Sequence, residues 1–179
     1  MIPTKLLSFI SLLIICLVLA PIILYAKKGK ALRIGTVAPN FNLPDQEGTQ
    51  QELKTFLGKK IALCFYPKDN SPFCTKQLCS IRDGFAVLQE HGITIIGISA
   101  DSEKKHQDFK KNEKLPFMLL SDTDKKVASL YGAADGWFGM LKRITILINE
   151  KGFIVDIIDS VNVSDHAQQI VDGFTKTRQ

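Results

Sequence analysis

The chain has 179 residues, 45% hydrophobic, 8% aromatic and 23% charged, with 12 Gly, 7 Pro and 4 Cys. That apolar content excludes a disordered chain, and four cysteines over this length exclude a disulfide-stapled miniprotein. The net charge of +5 comes from Lys5, Lys27, Lys28, Lys30 and Arg33; the 18 basic residues beyond them balance the 18 acidic ones, so no nucleic-acid partner is expected.

Residues 6–26 carry no charge and as a helix would reach about 31 Å, enough to cross a hydrocarbon core. They are read as one hydrophobic helix, a single-pass membrane anchor, with a cleavable signal peptide as the alternative because Leu24-Tyr25-Ala26 is only a weak cleavage site. The basic cluster behind the run predicts a catalytic domain facing the cytoplasm, export to the periplasm being the other outcome. Cys16 lies inside the run and is given no redox role. The expected divisions are therefore 1–26, anchor or uncleaved signal; 27–40, basic linker and domain entry; and 41–179, the folded domain.

From Phe41 the chain alternates strand-like and helix-like pieces. Ile61–Tyr66 is a short continuous apolar run, as a central strand covered on both faces requires, and Ile93–Ala100 is a second. Between them Leu78, Ile81, Phe85 and Leu88 fall on one helical face, and Gly92 stops the helix. Asp101 or Ser102 caps a polar helix that ends before Pro116. Asp124 opens another, with Val127, Leu130 and Tyr131 on one face and Gly132 after them. Ile144–Ile148 and Phe153–Ile158 read as a hairpin, and Ser164 precedes a last stripe of Ala167, Ile170, Val171 and Phe174. The order strand, helix, strand, helix, strand, helix, hairpin, helix predicts an α/β domain with a mixed central sheet and helices on both faces, a thioredoxin-like fold.

Phe65 to Asp83 joins a buried strand to a helix. Ser71 suits the cap position and Pro72 the first helical one, which puts Cys74 in the first turn, where free backbone N–H groups and the helix dipole favour negative charge. A thiolate is the reactive form of cysteine, and this position promotes it; a small buried hydrophobe is the plainer alternative. Cys64, inside the strand, reads as a packing residue. Cys79 follows five residues after Cys74, about 8.7 Å away in a regular helix, beyond the roughly 7 Å that a disulfide spans. The two thiols can bond only if the helix start unwinds.

Pro67, Ser71 and Cys74 stand in the pattern P-x-x-x-S/T-x-x-C, which resembles the active site of peroxiredoxins. Phe65 to Asp69 before it, Cys79 after it and Lys142 to Thr145 further on make the chain similar to the bacterioferritin comigratory protein, or peroxiredoxin Q, subfamily from about Ile34 to the C-terminus. Ala38 to Phe41, Gly97 to Ser102 and Leu120 to Asp122 add to the likeness. The hydrophobic N-terminal segment and the Gly136 to Gly139 loop depart from it.

The resemblance implies a thioredoxin-dependent peroxidase. Cys74 would be the peroxidatic nucleophile acting on hydrogen peroxide or an organic hydroperoxide, and Arg143 would stabilise the thiolate and the departing oxygen. Ser71 would bond to the bound peroxide, and Pro67 would shield the sulfur. Cys79 would resolve the sulfenic acid into a Cys74–Cys79 disulfide, reduced in turn by thioredoxin or a similar dithiol. No cofactor or metal is implied, and a monomer or weak dimer is expected. Tyr66, Phe73, Trp137 and Phe138 are candidates to wall the pocket.

Two other functions remain open on the sequence. A membrane-anchored thioredoxin-like disulfide carrier usually needs C-x-x-C, which is absent. A copper-binding protein on the same fold needs two cysteines and a histidine, but His91, His106 and His166 read as solvated surface residues.

Overall fold

The computed structural model describes residues 32–134 and 136–176. A short antiparallel hairpin comes first, β1 (Asn42–Pro44) with β2 (Gln50–Glu52). The main elements follow as β3 (Lys60–Phe65), α1 (Pro72–Asp83), α2 (Phe85–Glu90), β4 (Ile93–Ser99), α3 (Glu103–Glu113), β5 (Met118–Ser121), α4 (Lys126–Leu130), β6 (Ile144–Ile148), β7 (Ile154–Ile158) and α5 (His166–Lys176). Five strands form one sheet in the order β5-β4-β3-β6-β7. Strands β3, β4 and β5 run parallel, while β6 is antiparallel to β3 and β7 to β6.

The central position of β3 follows from its sequence. Ile61, Ala62, Leu63, Cys64 and Phe65 are all buried, which only a strand covered on both faces allows. Their alternation divides the core in two. Ala62, Cys64 and Tyr66 pack with Leu78, Ile81, Leu88, Phe109, Ile170 and Phe174, the inward stripes of α1, α2, α3 and α5. Ile61, Leu63 and Phe65 turn the other way, onto Phe41, Leu43, Val127 and Tyr131 from the N-terminal hairpin region and α4. Each large side chain so buried contributes about 1.5–3 kcal/mol. Helices lie on both faces of a mixed sheet, as the pattern predicts.

Three details differ from the sequence reading. The single helix expected through Leu78 and Leu88 is two, broken at Gly84, where a Cβ would stand 2.4 Å from the Cβ of Ala167 on α5. The β1–β2 hairpin was not anticipated, because three-residue strands give no period to read. Residues expected to belong to a linker instead run along the β6–β7 turn, with Gly35 N–H donating to the Ile154 carbonyl at 2.8 Å and Ala38 N–H to that of Gly152 at 2.9 Å.

The single-pass membrane location, with its cytoplasm-facing domain, is corrected. No helix among the described residues is long and apolar enough to cross a membrane. The hydrophobic helix expected over residues 6–26, with Cys16, lies outside the described residues.

Candidate active site

The turn from Tyr66 to Ser71 carries the chain from β3 to α1. Ser71 takes the extended cap conformation, φ −80° and ψ 144°, with Pro72 in the first helical position. The cap differs in detail from the expectation, because the Ser71 hydroxyl donates to the Lys68 carbonyl at 3.0 Å and makes no bond to the helix. Cys74 is third in α1 and fully buried, and Pro67 is half-buried.

Arg143 reaches Cys74 from the start of β6, the strand next to β3. Antiparallel pairing sets Phe65 opposite Ile144, so the residue ahead of β6 lies beside the end of β3. From there Arg143 Nη2 donates to Cys74 Sγ at 3.3 Å, and Nη1 donates to Gln77 Oε1. Gln77 stands one turn after Cys74, on the same face of α1. Its Nε2 meets His166 Nδ1 at 3.3 Å, and His166 Nε2 meets Thr145 Oγ1 at 3.1 Å.

The direction of this buried chain follows from its first member. A guanidinium only donates, so the Gln77 oxygen must face Arg143 and its amide N–H must face His166. His166 Nδ1 then accepts, its hydrogen resides on Nε2, and Nε2 donates to Thr145. The imidazole is therefore neutral, in keeping with burial and the Arg143 charge, which pull its pKa down to about 4. Gln77 is absent from the sequence reading, although its spacing from Cys74 could have flagged it; Thr145 enters there only as the end of the Lys142 to Thr145 motif, and His166 only as a surface residue.

The other cysteines differ in environment. Cys64 is buried in β3, and desolvation pushes its pKa up to about 12, which makes it inert. Cys79 is half-buried and unbonded, and its thiol donates to Glu113 Oε2 at 3.4 Å. Burial, with Glu113 beside it, holds its pKa above the ordinary thiol value.

The aromatic residues expected to wall the pocket divide between core and surface. Tyr66 is buried, whereas Phe73, Trp137 and Phe138 are 69%, 82% and 90% exposed. Two of the three histidines read as surface residues are also corrected: His106 and His166 are fully buried in hydrogen-bonded networks, and His91 alone is exposed. Among the described residues no three His, Cys, Asp or Glu side chains are grouped to hold a metal ion.

A helix-start thiol gripped by an arginine, on a thioredoxin-like sheet, defines a class of thiol enzymes. Residues 34–157 match the AhpC/TSA family, and the chain belongs to that family. Over 147 residues it is 42% identical to a putative peroxiredoxin bcp of Coxiella burnetii, a match covering 79% of this chain and 97% of that protein. Peroxiredoxin Bcp of Escherichia coli K12 is 38% identical over 141 residues, 75% of this chain and 90% of the relative. The crystal structure of peroxidoxin BcpB from Mycobacterium tuberculosis superposes with a TM-score of 0.75 at 29% identity, covering 83% of this chain and 99% of that one. A bacterioferritin comigratory protein of Xanthomonas campestris, described for its alkyl peroxide reduction activity, gives 0.70 at 26% identity, covering 76% and 92%. The chain is an enzyme, a thiol peroxidase of the peroxiredoxin kind.

Proposed function

We propose that Cys74 reduces hydrogen peroxide and organic hydroperoxides and that Cys79 resolves the product. The observation that carries this reading is the Arg143 N–H aimed at a first-turn sulfur at 3.3 Å. A donor on a permanent cation stabilises a sulfur anion more than a neutral thiol, and the same fork can hold oxygen as charge develops on it. The thiolate attacks one peroxide oxygen, the O–O bond breaks, and the other oxygen leaves as water or an alcohol once protonated. Cys74 is left as a sulfenic acid. Ser71 supplies a hydroxyl at the mouth of the site, and Pro67, which has no N–H, limits the approach of water.

Resolution needs a change of shape. Cys79 points to Glu113 rather than Cys74, and helical spacing holds the two too far apart to bond. Once the first turns of α1 open, the Cys79 sulfur displaces the sulfenic hydroxyl, which leaves as water with the thiol's proton. An external dithiol of the thioredoxin type then takes up the disulfide by exchange and returns both thiols. Residues 41–179 carry this cycle, acting as a monomer or weak dimer.

The test is one equivalent of hydrogen peroxide added to the reduced chain, with mass spectrometry of the products. Wild type should yield an intramolecular Cys74–Cys79 disulfide, and Cys79→Ser should accumulate a Cys74 sulfenic acid that dimedone traps. Recovery of unmodified Cys74 in both would refute the assignment.

A further inference from the structure

The turn that presents Cys74 is held from outside by a buried acid–imidazole pair. Asp69 lies within it, and its Oδ2 meets Nδ1 of His106, on α3, at 2.8 Å, with both side chains essentially inaccessible. Asp69 Oδ1 accepts from the Tyr66 hydroxyl at 2.7 Å. The other imidazole nitrogen, Nε2, meets the Leu120 carbonyl of β5 at 3.1 Å. A carbonyl only accepts, so Nε2 carries hydrogen, and the short Nδ1 to Oδ2 contact encloses one further proton shared by the pair. The Asp69 backbone N–H donates to Asp101 Oδ2 at 2.8 Å, and Asp101 is itself held by the Ser99 hydroxyl at 2.9 Å and by Lys105 at 3.3 Å. Tyr66, Asp69, Asp101 and Lys105 are thus the ionisable groups gathered around His106.

Helix α1 has Pro72 in its first position but lacks the other devices that usually secure a helix start. Its cap residue makes no side-chain bond to it, and no acidic residue occupies its first turn. Asn70, between Asp69 and the cap, has a left-handed φ of 57°, a conformation that Asn tolerates better than most residues but that still costs more than the ordinary helical one. A buried acid–imidazole pair is a weak source of net stability, because desolvation offsets most of its attraction, so what matters here is where its hydrogen bonds hold the Asp69 side chain.

We propose that Asp69 and His106 are positioning residues, a latch that fixes the turn ahead of Cys74 and sets how readily the first turns of α1 unwind. The proposal rests on the reading of Cys74 as attacking thiol and Cys79 as resolving thiol. With the latch closed, Cys74 is held against Arg143 and oxidation is favoured. With it open, the helix start loosens, the Arg143 contact is lost, and Cys79 gains access to the sulfenic acid.

The experiment follows two rates in the reduced full chain: Cys74 oxidation by hydrogen peroxide, and Cys74–Cys79 bond formation by quenched alkylation and mass spectrometry. In Asp69→Ala the first should slow and the second should quicken, each by about tenfold or more, because the carboxyl group takes two hydrogen bonds with it, one to Tyr66 and one to His106, and about tenfold is the effect of losing a single such bond. Asp69→Asn, which can still accept from Tyr66 and donate to His106, should recover most of both rates. His106→Phe, which keeps the ring volume but not the hydrogen bonds, should repeat the Asp69→Ala pattern if that variant fails to fold. Both rates unchanged, or both falling together in step with the urea midpoint, would overturn the latch. Failure of wild-type Cys74 to form a sulfenic acid would instead overturn the peroxidase assignment beneath it.

Discussion

Arg143 bridges two acceptors that a lysine cannot serve in the same way. Its planar fork gives one nitrogen to Cys74 and the other to Gln77, whereas an ammonium is a point charge on a flexible stem. Arg143→Lys should lower the rate constant for peroxide about 100-fold with little change in stability, as stopped-flow oxidation and urea melts will show. His166 sits two bonds further along the same chain and makes a separate prediction. Its folded pKa of about 4 lies below the free value of 6.5, so above pH 6.5 it is neutral folded or unfolded. As pH falls towards 4 only the unfolded chain takes up the proton, and roughly 3 kcal/mol of stability should be lost over that window. His166→Gln should remove that part of the acid dependence in urea melts between pH 4 and 7. The roles proposed for Cys74, Cys79 and Arg143 rest on the family motif, while the placement of Cys74 at a helix start was legible from Ser71 and Pro72 alone. The histidines were not, because His106 lies in a helix as charged as Glu103–Glu113, and the Asp69 that buries it is far away in sequence.

At the scale of elements, the join between α1 and α5 governs the site. Gly84 lets α5 approach so closely that an added Cβ would stand 2.4 Å from Ala167, next to His166. Gly84→Ala must push the two helices apart, at a cost of about 1–3 kcal/mol by overpacking, and should weaken the His166–Gln77 contact with it. Lower urea stability together with slower Cys74 oxidation is the expected result; loss of stability with an unchanged rate would mean that the site does not depend on this join. The helix pattern misled here because the apolar stripe continues from Ile81 to Phe85 across the break, and close packing by a distant helix leaves no mark on local periodicity. The strands of the main sheet were far easier to read, since burial on both faces demands unbroken apolar runs such as Ile61 to Phe65. The β1–β2 hairpin, with Gln50 to Glu52 half-exposed and polar, offered nothing comparable.

For the whole molecule, the proposed Cys74–Cys79 disulfide would be a destabilising bond. Cys74, Gln77, Leu78 and Ile81 are buried in α1, and joining Cys74 to Cys79 draws part of that surface out of the core. The oxidised form should unfold at lower urea than the reduced form, and dithiothreitol should restore the midpoint, whereas an ordinary native disulfide adds about 2–4 kcal/mol. A higher midpoint after oxidation would show that the helix start need not open. The mixed sheet covered by helices on both faces was legible in the succession of elements, because an alternating α/β pattern leaves few topologies; the strand order β5-β4-β3-β6-β7 was not, since it depends on pairings between distant segments. The membrane assignment rested on a segment outside the described residues, and none of the helices in the described domain is long and apolar enough to span a bilayer.

The most direct measurement is stopped-flow oxidation of the reduced chain by hydrogen peroxide, in wild type and Cys74→Ser, with the modified residue located by mass spectrometry. The account predicts fast oxidation by one equivalent at Cys74, orders of magnitude above a free thiol and abolished in Cys74→Ser. Oxidation no faster than free cysteine, or unchanged by the substitution, would contradict it.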